Sequence, residues 1–245
     1  VYATEETPLG TAGSVRNARA ELDEPFLVIS GDVLTDIDLS ELVSRHVEKK
    51  ALASIGLKSM ENPLEFGIVI TKEDGSIERF LEKPTWGEVF SDTINTGIYI
   101  LEPEALRRVP EKTNVDFSKD LYPQMLRERA ALYGHVAEGY WRDIGNIEEY
   151  RRAHEDILRG RVRLRLRGER RAIGRCTMWG ERGAMLGREV RCRGTVLLGP
   201  GVEIGEGAAL ENVVIGAHTR IGPGAELRGV VLWENCRVGP SARLS

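Results

Sequence analysis

The sequence predicts a mixed α/β domain built on a doubly wound, mostly parallel sheet, followed by a left-handed parallel β-helix. Three observations carry this. Strand-forming and helical stretches alternate from Val1 to about Leu158, the pattern of a parallel sheet covered by helices. The apolar run "FLVIS" stops abruptly on Gly31-Asp32, and such a run is long enough for a strand buried on both faces. From about Met185 the grammar changes, and aliphatic residues recur every six positions with glycine between them, as in hexapeptide β-helix repeats.

Each element has a local reason. "FLVIS" leads into the helical stretch "LSELVSRHVEKKA" and the strand "LASIGL". "FGIVIT" and "SIERFLEK" are joined through Glu73-Asp74-Gly75, and Asp-Gly marks a hairpin turn. "TINTGIYIL" reads as another strand, and "LYGHVAEGYW" as one or two more. In "NIEEYRRAHEDILRG", Asn146 caps a helix, Glu149 holds the capping-box position and Gly160 stops it. Ile147, Tyr150, Ala153, Ile157 and Leu158 mark its apolar face. The arginines of "RGRVRLRLRGERR" alternate with Val162, Leu164 and Leu166, which reads as a strand-like linker with a solvated face.

The aliphatic series is Leu198, Ile204, Leu210, Ile215, Ile221, Leu227, Leu232, Val238 and Leu244, with a five-residue step after Leu210 and after Leu227. The larger period of about 17 residues gives three flat sides of a triangular coil, one aliphatic residue inside per side. The expected organisation is a sheet domain over 1–160, a linker over 161–184, and a β-helix of about three coils over 185–245, its last coil uncapped.

Composition narrows the class. The chain of 245 residues is 41% hydrophobic and 29% charged, ordinary for a globular protein with a real core. A net charge of −4 gives no overall field for nucleic acid or membrane, and there is neither a transmembrane run nor a secretory signal. Cys176, Cys192 and Cys236 are odd in number and lack C-x-x-C spacing, so free buried thiols in a reducing cytoplasm are expected. His46 and His154 fall on helices without a partner at metal spacing, and read as surface or packing residues. His218 falls at a coil corner and reads as a solvated turn residue.

Seven short stretches in order resemble the sugar-nucleotide pyrophosphorylases, a nucleotidyltransferase family. They are "PLGTAG" (Pro8 to Gly13), "SGD" (Ser30 to Asp32), "EFGIV" (Glu65 to Val69), "FLEKP" (Phe80 to Pro84), "NTGIYILEP" (Asn95 to Pro103), "DFSKDLYP" (Asp116 to Pro123) and "GYWRDIG" (Gly139 to Gly145). The run "ERFLEKPTWGEVFSDTINTGIYILEPE" is most similar to the bacterial mannose-1-phosphate guanylyltransferase branch, often fused to a downstream phosphomannomutase-like domain. The resemblance implies a Rossmann-like nucleotidyltransferase domain, here incomplete at its N-terminus. The family's G-G-x-G-T-R-L loop, which holds the triphosphate, and its K-P segment are absent from the sequence. The chain is therefore expected to be a fragment that does not catalyse transfer by itself, with apolar faces left open on "FLVIS" and "LASIGL".

The family reaction joins a sugar 1-phosphate to the α-phosphate of an NTP and releases pyrophosphate. Two anions about 4 Å apart repel by roughly 4 kcal/mol per unit charge at an effective dielectric near 20. Magnesium is suited to offset this, because it takes one or two carboxylates and completes its shell with phosphate oxygens and water. The resemblance assigns Asp32 and Asp143 to the metal. It assigns Lys83 to the sugar phosphate, a compact charge suited to the role, and Glu82 to sugar hydroxyls. Asn95, Thr96 and the backbone at Gly97 and Gly67 complete the sugar cradle, Gly10 and Thr11 form the base-contacting loop, and Gly31 is a further substrate-binding position. Trp141 beside Asp143 is expected to pack and orient the loop that carries Asp143.

The favoured substrates are mannose 1-phosphate and GTP, with Mg2+ as cofactor. Homo-oligomerisation is expected through the β-helix, where Trp233 is the exposed anchor. Three alternatives stay open on sequence. A glucose-1-phosphate thymidylyl-, uridylyl- or adenylyltransferase differs only in base and sugar. A catalytically silent regulatory subunit is free to lose Asp32, Lys83 and Asp143, which are present. A bifunctional acyltransferase requires a longer β-helix and a catalytic histidine.

Overall fold

The computed structural model describes residues 1–60, 63, 66–82 and 92–245. The chain divides into two compact units, Val1–Val33 with Ile37–Trp141, and Leu34–Asp36 with Arg142–Ser245.

The first unit is an α/β sheet domain. Helix α1 (Gly10–Asn17) leads to strand β1 (Phe26–Ile29); after β2 (Val33–Thr35), most of which belongs to the second unit, come α2 (Leu39–Lys49) and β3 (Ala53–Ser59). After them come β4 (Gly67–Thr71), β5 (Ile77–Glu82), β6 (Thr93–Leu101), α3 (Tyr122–Arg127) and β7 (Leu132–Val136). The sheet order is β5-β4-β6-β3-β7, with β1 also paired to β6. β3 and β7 are parallel, whereas β6 runs antiparallel to β1, β3 and β4. Since β5 is antiparallel to β4, strands β1, β3, β4 and β7 point one way and β5 and β6 the other.

Both faces of the sheet are covered. On one, Ile55, Leu57, Val69, Tyr99 and Leu101 pack against Ala12, Phe117, Leu121, Tyr122 and Met125. On the other, Ile98 and Ile100 pack against Leu42 of α2 and Ala137. Helix α2 starts where Asp38 accepts hydrogen bonds from the Ser40 and Glu41 N–H groups, satisfying donors a helix end otherwise leaves open. The Asp74-Gly75 turn forms the expected hairpin between β4 and β5, with Gly75 at φ +84°.

Two strand expectations need correction. "FLVIS" is not buried on both faces: β1 has β6 as its one partner strand among the described residues, and Leu27 and Ile29 are 40% and 42% exposed. The open apolar face expected on "LASIGL" is not seen, because β3 lies between β6 and β7 and is buried from Ala53 to Leu57.

In the second unit, β2 pairs with β8 (Trp141–Asp143), and α4 (Ile147–Leu158) follows. Then comes a parallel solenoid. Its larger sheet runs through β9 (Glu169–Ile173) and β10 (Cys176–Gly180), past β11 (Met185–Leu186) to β12 (Arg191–Leu198). The chain continues through β13 (Glu203–Ile204), β14 (Ala209–Ile215), β15 (Arg220–Ile221), β16 (Glu226–Arg228), β17 (Val231–Leu232), β18 (Arg237–Val238) and β19 (Arg243–Leu244). Strands β11, β13, β15 and β18 stack as the rungs of a second sheet, in the register Glu203↔Arg220↔Arg237. This is the left-handed β-helix the hexapeptide spacing calls for.

Leu198, Ile204, Leu210, Ile215, Ile221 and Leu227 point inward and are at most 4% exposed. A second inward position, two residues earlier, is not marked by the six-residue aliphatic spacing. It is filled by Val196, Val202, Ala208, Val213, Thr219 and Ala225, all 0% exposed. Thr219 is tolerated there because its hydroxyl donates to the Trp233 carbonyl and accepts from the Cys236 N–H. His218 is an exposed corner residue at φ +56°, as expected of a turn position.

The solenoid sheet begins at Glu169, inside the stretch expected to be a linker, since β9 and β10 form an antiparallel hairpin that carries no hexapeptide spacing. The expected free thiols are also corrected. Cys176 and Cys192 form a disulfide, with Cα atoms 5.7 Å apart, and Cys236 is free. Their separation of 16 residues is close to one coil, so stacking of β10 on β12 brings them together where spacing motifs show nothing. Cysteine usage thus no longer speaks for a reducing compartment. No described helix is long and apolar enough to cross a membrane.

Candidate active site

Among the described residues, the sheet domain contains a break in strand pairing, and most candidate residues gather there. β6 is long, and β1 and β4 share one of its flanks: β1 pairs with Ile98 to Leu101, β4 with Ile94. Between them, Asn95, Thr96 and Gly97 lie where β1 has ended and β4 begins. Ser30, just before Gly31-Asp32, donates its N–H to the Gly97 carbonyl at 3.0 Å. Gly67 opens β4 and stands opposite Glu82 in the β4–β5 ladder. The seam thus collects Gly31, Asp32, Gly67, the backbone place of Glu82, Asn95, Thr96 and Gly97. It lies at the carboxyl ends of β1 and β3, where open α/β sheets bind ligands.

Glycine is required at Gly97. Its φ is +74°, and a Cβ there would lie 2.5 Å from the Ser30 Oγ. Asn95 is half-buried and fully hydrogen-bonded: its Oδ1 accepts from the Gly97 N–H at 3.0 Å, and its Nδ2 donates to the Tyr99 hydroxyl at 3.0 Å and the Ser118 hydroxyl at 2.9 Å. Thr96 is 1% exposed; its hydroxyl donates to the Gly56 carbonyl at 2.7 Å, and its carbonyl accepts from the Trp141 indole N–H at 2.9 Å. Thr96 is therefore part of the scaffold and its side chain does not face the seam. Trp141 packs edge-on against Phe66, with ring centroids 5.4 Å apart.

Asp32 is an exposed turn residue with no hydrogen-bond or ion-pair partner among the described residues, and a Cβ on Gly31 would meet nothing within 4 Å. Asp143 closes β8, half-buried, with one carboxylate oxygen accepting from the Gly145 N–H at 2.8 Å. Among the described residues, no group of three or more His, Cys, Asp or Glu side chains is arranged to hold a metal. Lys83 and Glu65 lie outside the described residues.

Gly10 and Thr11, expected in the base-contacting loop, are the first two residues of α1. The close approach that requires glycine at Gly10, φ +70°, is to the Val115 carbonyl, 2.6 Å from a built Cβ. The Thr11 hydroxyl donates to Asp116 at 2.9 Å and accepts from the Phe117 N–H at 2.9 Å. These contacts pin α1 to the "DFSKDLYP" segment.

Four participants were not legible in sequence. Ser118 and Tyr99 hold the Asn95 amide. Lys58, half-buried at the end of β3, donates to the Gly139 carbonyl at 2.7 Å and the Ala137 carbonyl at 3.5 Å, tying down the bend that leads to Trp141. Arg142, next to Asp143, is clamped by Glu149 and by Asp156 at 3.0 Å, and Asp156 also holds Arg161 at 2.8 Å. Asp156 is 4% exposed whereas Ile147 is 87% exposed. The buried face of α4 is thus set partly by an ion pair, and Ile147 is not on it. His46, 2% exposed, is a packing residue bonded to the Ser54 hydroxyl at 2.8 Å.

The cavities of about 570–690 Å³ on the second unit are separate from the seam. The one of about 690 Å³ is lined by Ile144, Ile147, Tyr150, Val231 and Trp233 and is apolar, unlike a site for phosphates.

The two-sided α/β sheet with a glycine-lined break at its carboxyl edge, followed by a hexapeptide solenoid, defines the class: an open α/β sheet domain joined to a β-helix. The nucleotidyl transferase family model matches residues 1–160, and the chain belongs to that family. It is 33% identical over 220 residues to a mannose-1-phosphate guanylyltransferase of Mycobacterium tuberculosis, covering 87% of this chain and 58% of that protein. A UTP–glucose-1-phosphate uridylyltransferase of Synechocystis is 36% identical over 155 residues, 61% of this chain and 40% of that one. The chain thus spans less than two thirds of these relatives. Among solved structures, HddC from Yersinia pseudotuberculosis aligns with a TM-score of 0.54 and 25% identity over 62% of this chain and 64% of that one, and it has also been solved with GMP-PN.

Proposed function

We propose that the chain forms the sugar-phosphate side of a magnesium-dependent sugar-1-phosphate nucleotidyltransferase. Mannose 1-phosphate and GTP are the favoured substrates, by analogy with the mannose-1-phosphate guanylyltransferase of M. tuberculosis. The observation that carries the reading is the seam on β6, where Gly31-Asp32, Gly67 and Asn95–Gly97 converge. A phosphate oxygen of the sugar 1-phosphate attacks the α-phosphorus of the NTP, and the bond to the leaving pyrophosphate breaks.

Asp32 and Asp143 fit magnesium in chemistry, since each is a carboxylate with oxygen left uncoordinated and the ion completes its shell with phosphate and water oxygens. Magnesium, when bound, supplies charge that offsets the repulsion of the two phosphates. Lys83 neutralises the sugar phosphate and Glu82 accepts from sugar hydroxyls. The glycines let the ligand approach backbone N–H groups closely. Gly10 and Thr11 are assigned to the base side. We place the enzyme in the cytoplasm on account of these substrates.

No glycine-rich triphosphate loop occurs in the 245 residues, so the chain alone is expected to bind sugar 1-phosphate without turning over GTP. Calorimetric titration with mannose 1-phosphate, beside a pyrophosphate-release assay, tests this. Asp32→Asn and Asp143→Asn should each weaken the magnesium dependence of binding. A chain that binds no sugar 1-phosphate sinks the proposal; robust turnover by these residues alone overturns the account of the triphosphate site.

A further inference from the structure

The residue that reads the sugar need not be the one the "NTG" motif suggests. The Gly97 N–H can only donate, so it fixes which end of the Asn95 amide is oxygen. The two amide hydrogens are then directed at the Tyr99 and Ser118 hydroxyl oxygens. Asn95 retains no N–H for a ligand. Ser118, by contrast, accepts with its oxygen and keeps a proton that has no acceptor among the described residues.

That proton is well positioned. Ser118 sits in the π-helical turn Phe117–Leu121, a rare geometry that recurs at functional sites. Asp116 holds the start of the turn, accepting from the Ser118 N–H at 2.8 Å and the Lys119 N–H at 3.0 Å, and Thr11 clamps Asp116 in turn. An aromatic floor lies beside the turn: Tyr99 and Phe117 are 4.9 Å apart, and Phe117 stacks on Tyr122 at 5.5 Å. Tyr122 is fully buried, and that burial pushes its phenol well above its ordinary pKa. A hydroxyl donor with its oxygen already engaged, on a fixed backbone beside an apolar wall, is preorganised to donate to one ligand oxygen.

We propose that Ser118 is a specificity-determining residue, donating its hydroxyl proton to one hydroxyl oxygen of the hexose ring, while Asn95 acts as the positioning residue that orients it. This rests on the nucleotidyltransferase reading of the seam.

The test is calorimetric titration of the chain with mannose 1-phosphate, its 2-, 3-, 4- and 6-deoxy analogues, and inorganic phosphate. Ser118→Ala should weaken mannose 1-phosphate binding about three- to tenfold, the range of one net hydrogen bond. It should leave inorganic phosphate unchanged and lose its effect with one deoxy analogue. Ser118→Thr should restore binding. Should Ser118→Ala fail to fold, Ser118→Cys keeps the side-chain size with a much weaker donor and should show the same selective loss. Equal loss for every analogue and for phosphate, or no loss at all, overturns the assignment while leaving the reading of the seam intact. A wild-type chain that binds no sugar 1-phosphate overturns that reading, and this one with it.

Discussion

Replacing Gly97 by alanine tests how tightly the seam is built. The backbone there is at φ +74°, and a left-handed conformation costs an L-residue about 1–2 kcal/mol. The new Cβ would also stand 2.5 Å from the Ser30 Oγ and 3.1 Å from its Cβ. The hydroxyl can rotate away, but the Cβ contact forces the Ser30 backbone to move by a few tenths of an ångström, at about 1 kcal/mol more. The expected loss is about 2–3 kcal/mol. Gly75→Ala is the matched control in the same unit: its φ is +84°, and its nearest neighbour, the Gly134 carbonyl, is at an ordinary 3.4 Å. It should lose about 1–2 kcal/mol. Urea unfolding followed by circular dichroism gives the difference. Adding Ser30→Gly to Gly97→Ala should recover the extra loss, and the double-mutant cycle isolates that coupling. Because Ser30 precedes Asp32, Gly97→Ala should also weaken magnesium-dependent sugar-phosphate binding. An alanine no costlier at Gly97 than at Gly75, or no relief from Ser30→Gly, would refute the reasoning.

Reducing the Cys176–Cys192 bridge, or introducing Cys192→Ser, should destabilise the solenoid by about 3 kcal/mol, the loop-closure value for a separation of 16 residues; denaturation with and without reductant measures it. Asp156→Ala removes a buried acid that holds both Arg142 and Arg161. Breaking a fully buried pair costs about 3–5 kcal/mol, and because Arg161 is 58% exposed, the lower end is expected in thermal unfolding, with Asp156→Asn milder. In an enzyme competent for turnover, Lys83→Ala should raise the KM for sugar 1-phosphate more than for NTP, and Glu82→Ala should relax sugar selection. Loss of nucleotide affinity alone in both would exchange their sides. Trp233 is 69% exposed, edge-on to Tyr150 at 6.3 Å. Deleting residues after about Arg175 should change the oligomeric state by gel filtration more than it changes ligand binding.

Local rules carried much of the architecture. The solenoid was legible because each coil side repeats one aliphatic position, and burial of Ile204, Ile215 and Ile221 depends only on the neighbouring coils. The Asp74-Gly75 hairpin and the Asn146 cap, whose side chain accepts from the Glu149 N–H at 2.9 Å, were equally local. Strand direction and partners were not. "FLVIS" and "LASIGL" look alike as apolar runs, and which becomes an edge and which the buried centre is set by the partners each finds far along the chain.

The same division holds at the site. The sequence by itself determined which residue types are available for a nucleotidyl transfer, and the order of motifs that marks the family. Only the tertiary structure decided their roles: that Thr96 faces the interior, that Asn95 is occupied by Ser118 and Tyr99, and that Cys176 meets Cys192 one coil on. Hydrogen bonds between distant residues are directional and saturable. Whether a polar side chain is free for a ligand therefore depends on neighbours that sequence spacing does not reveal.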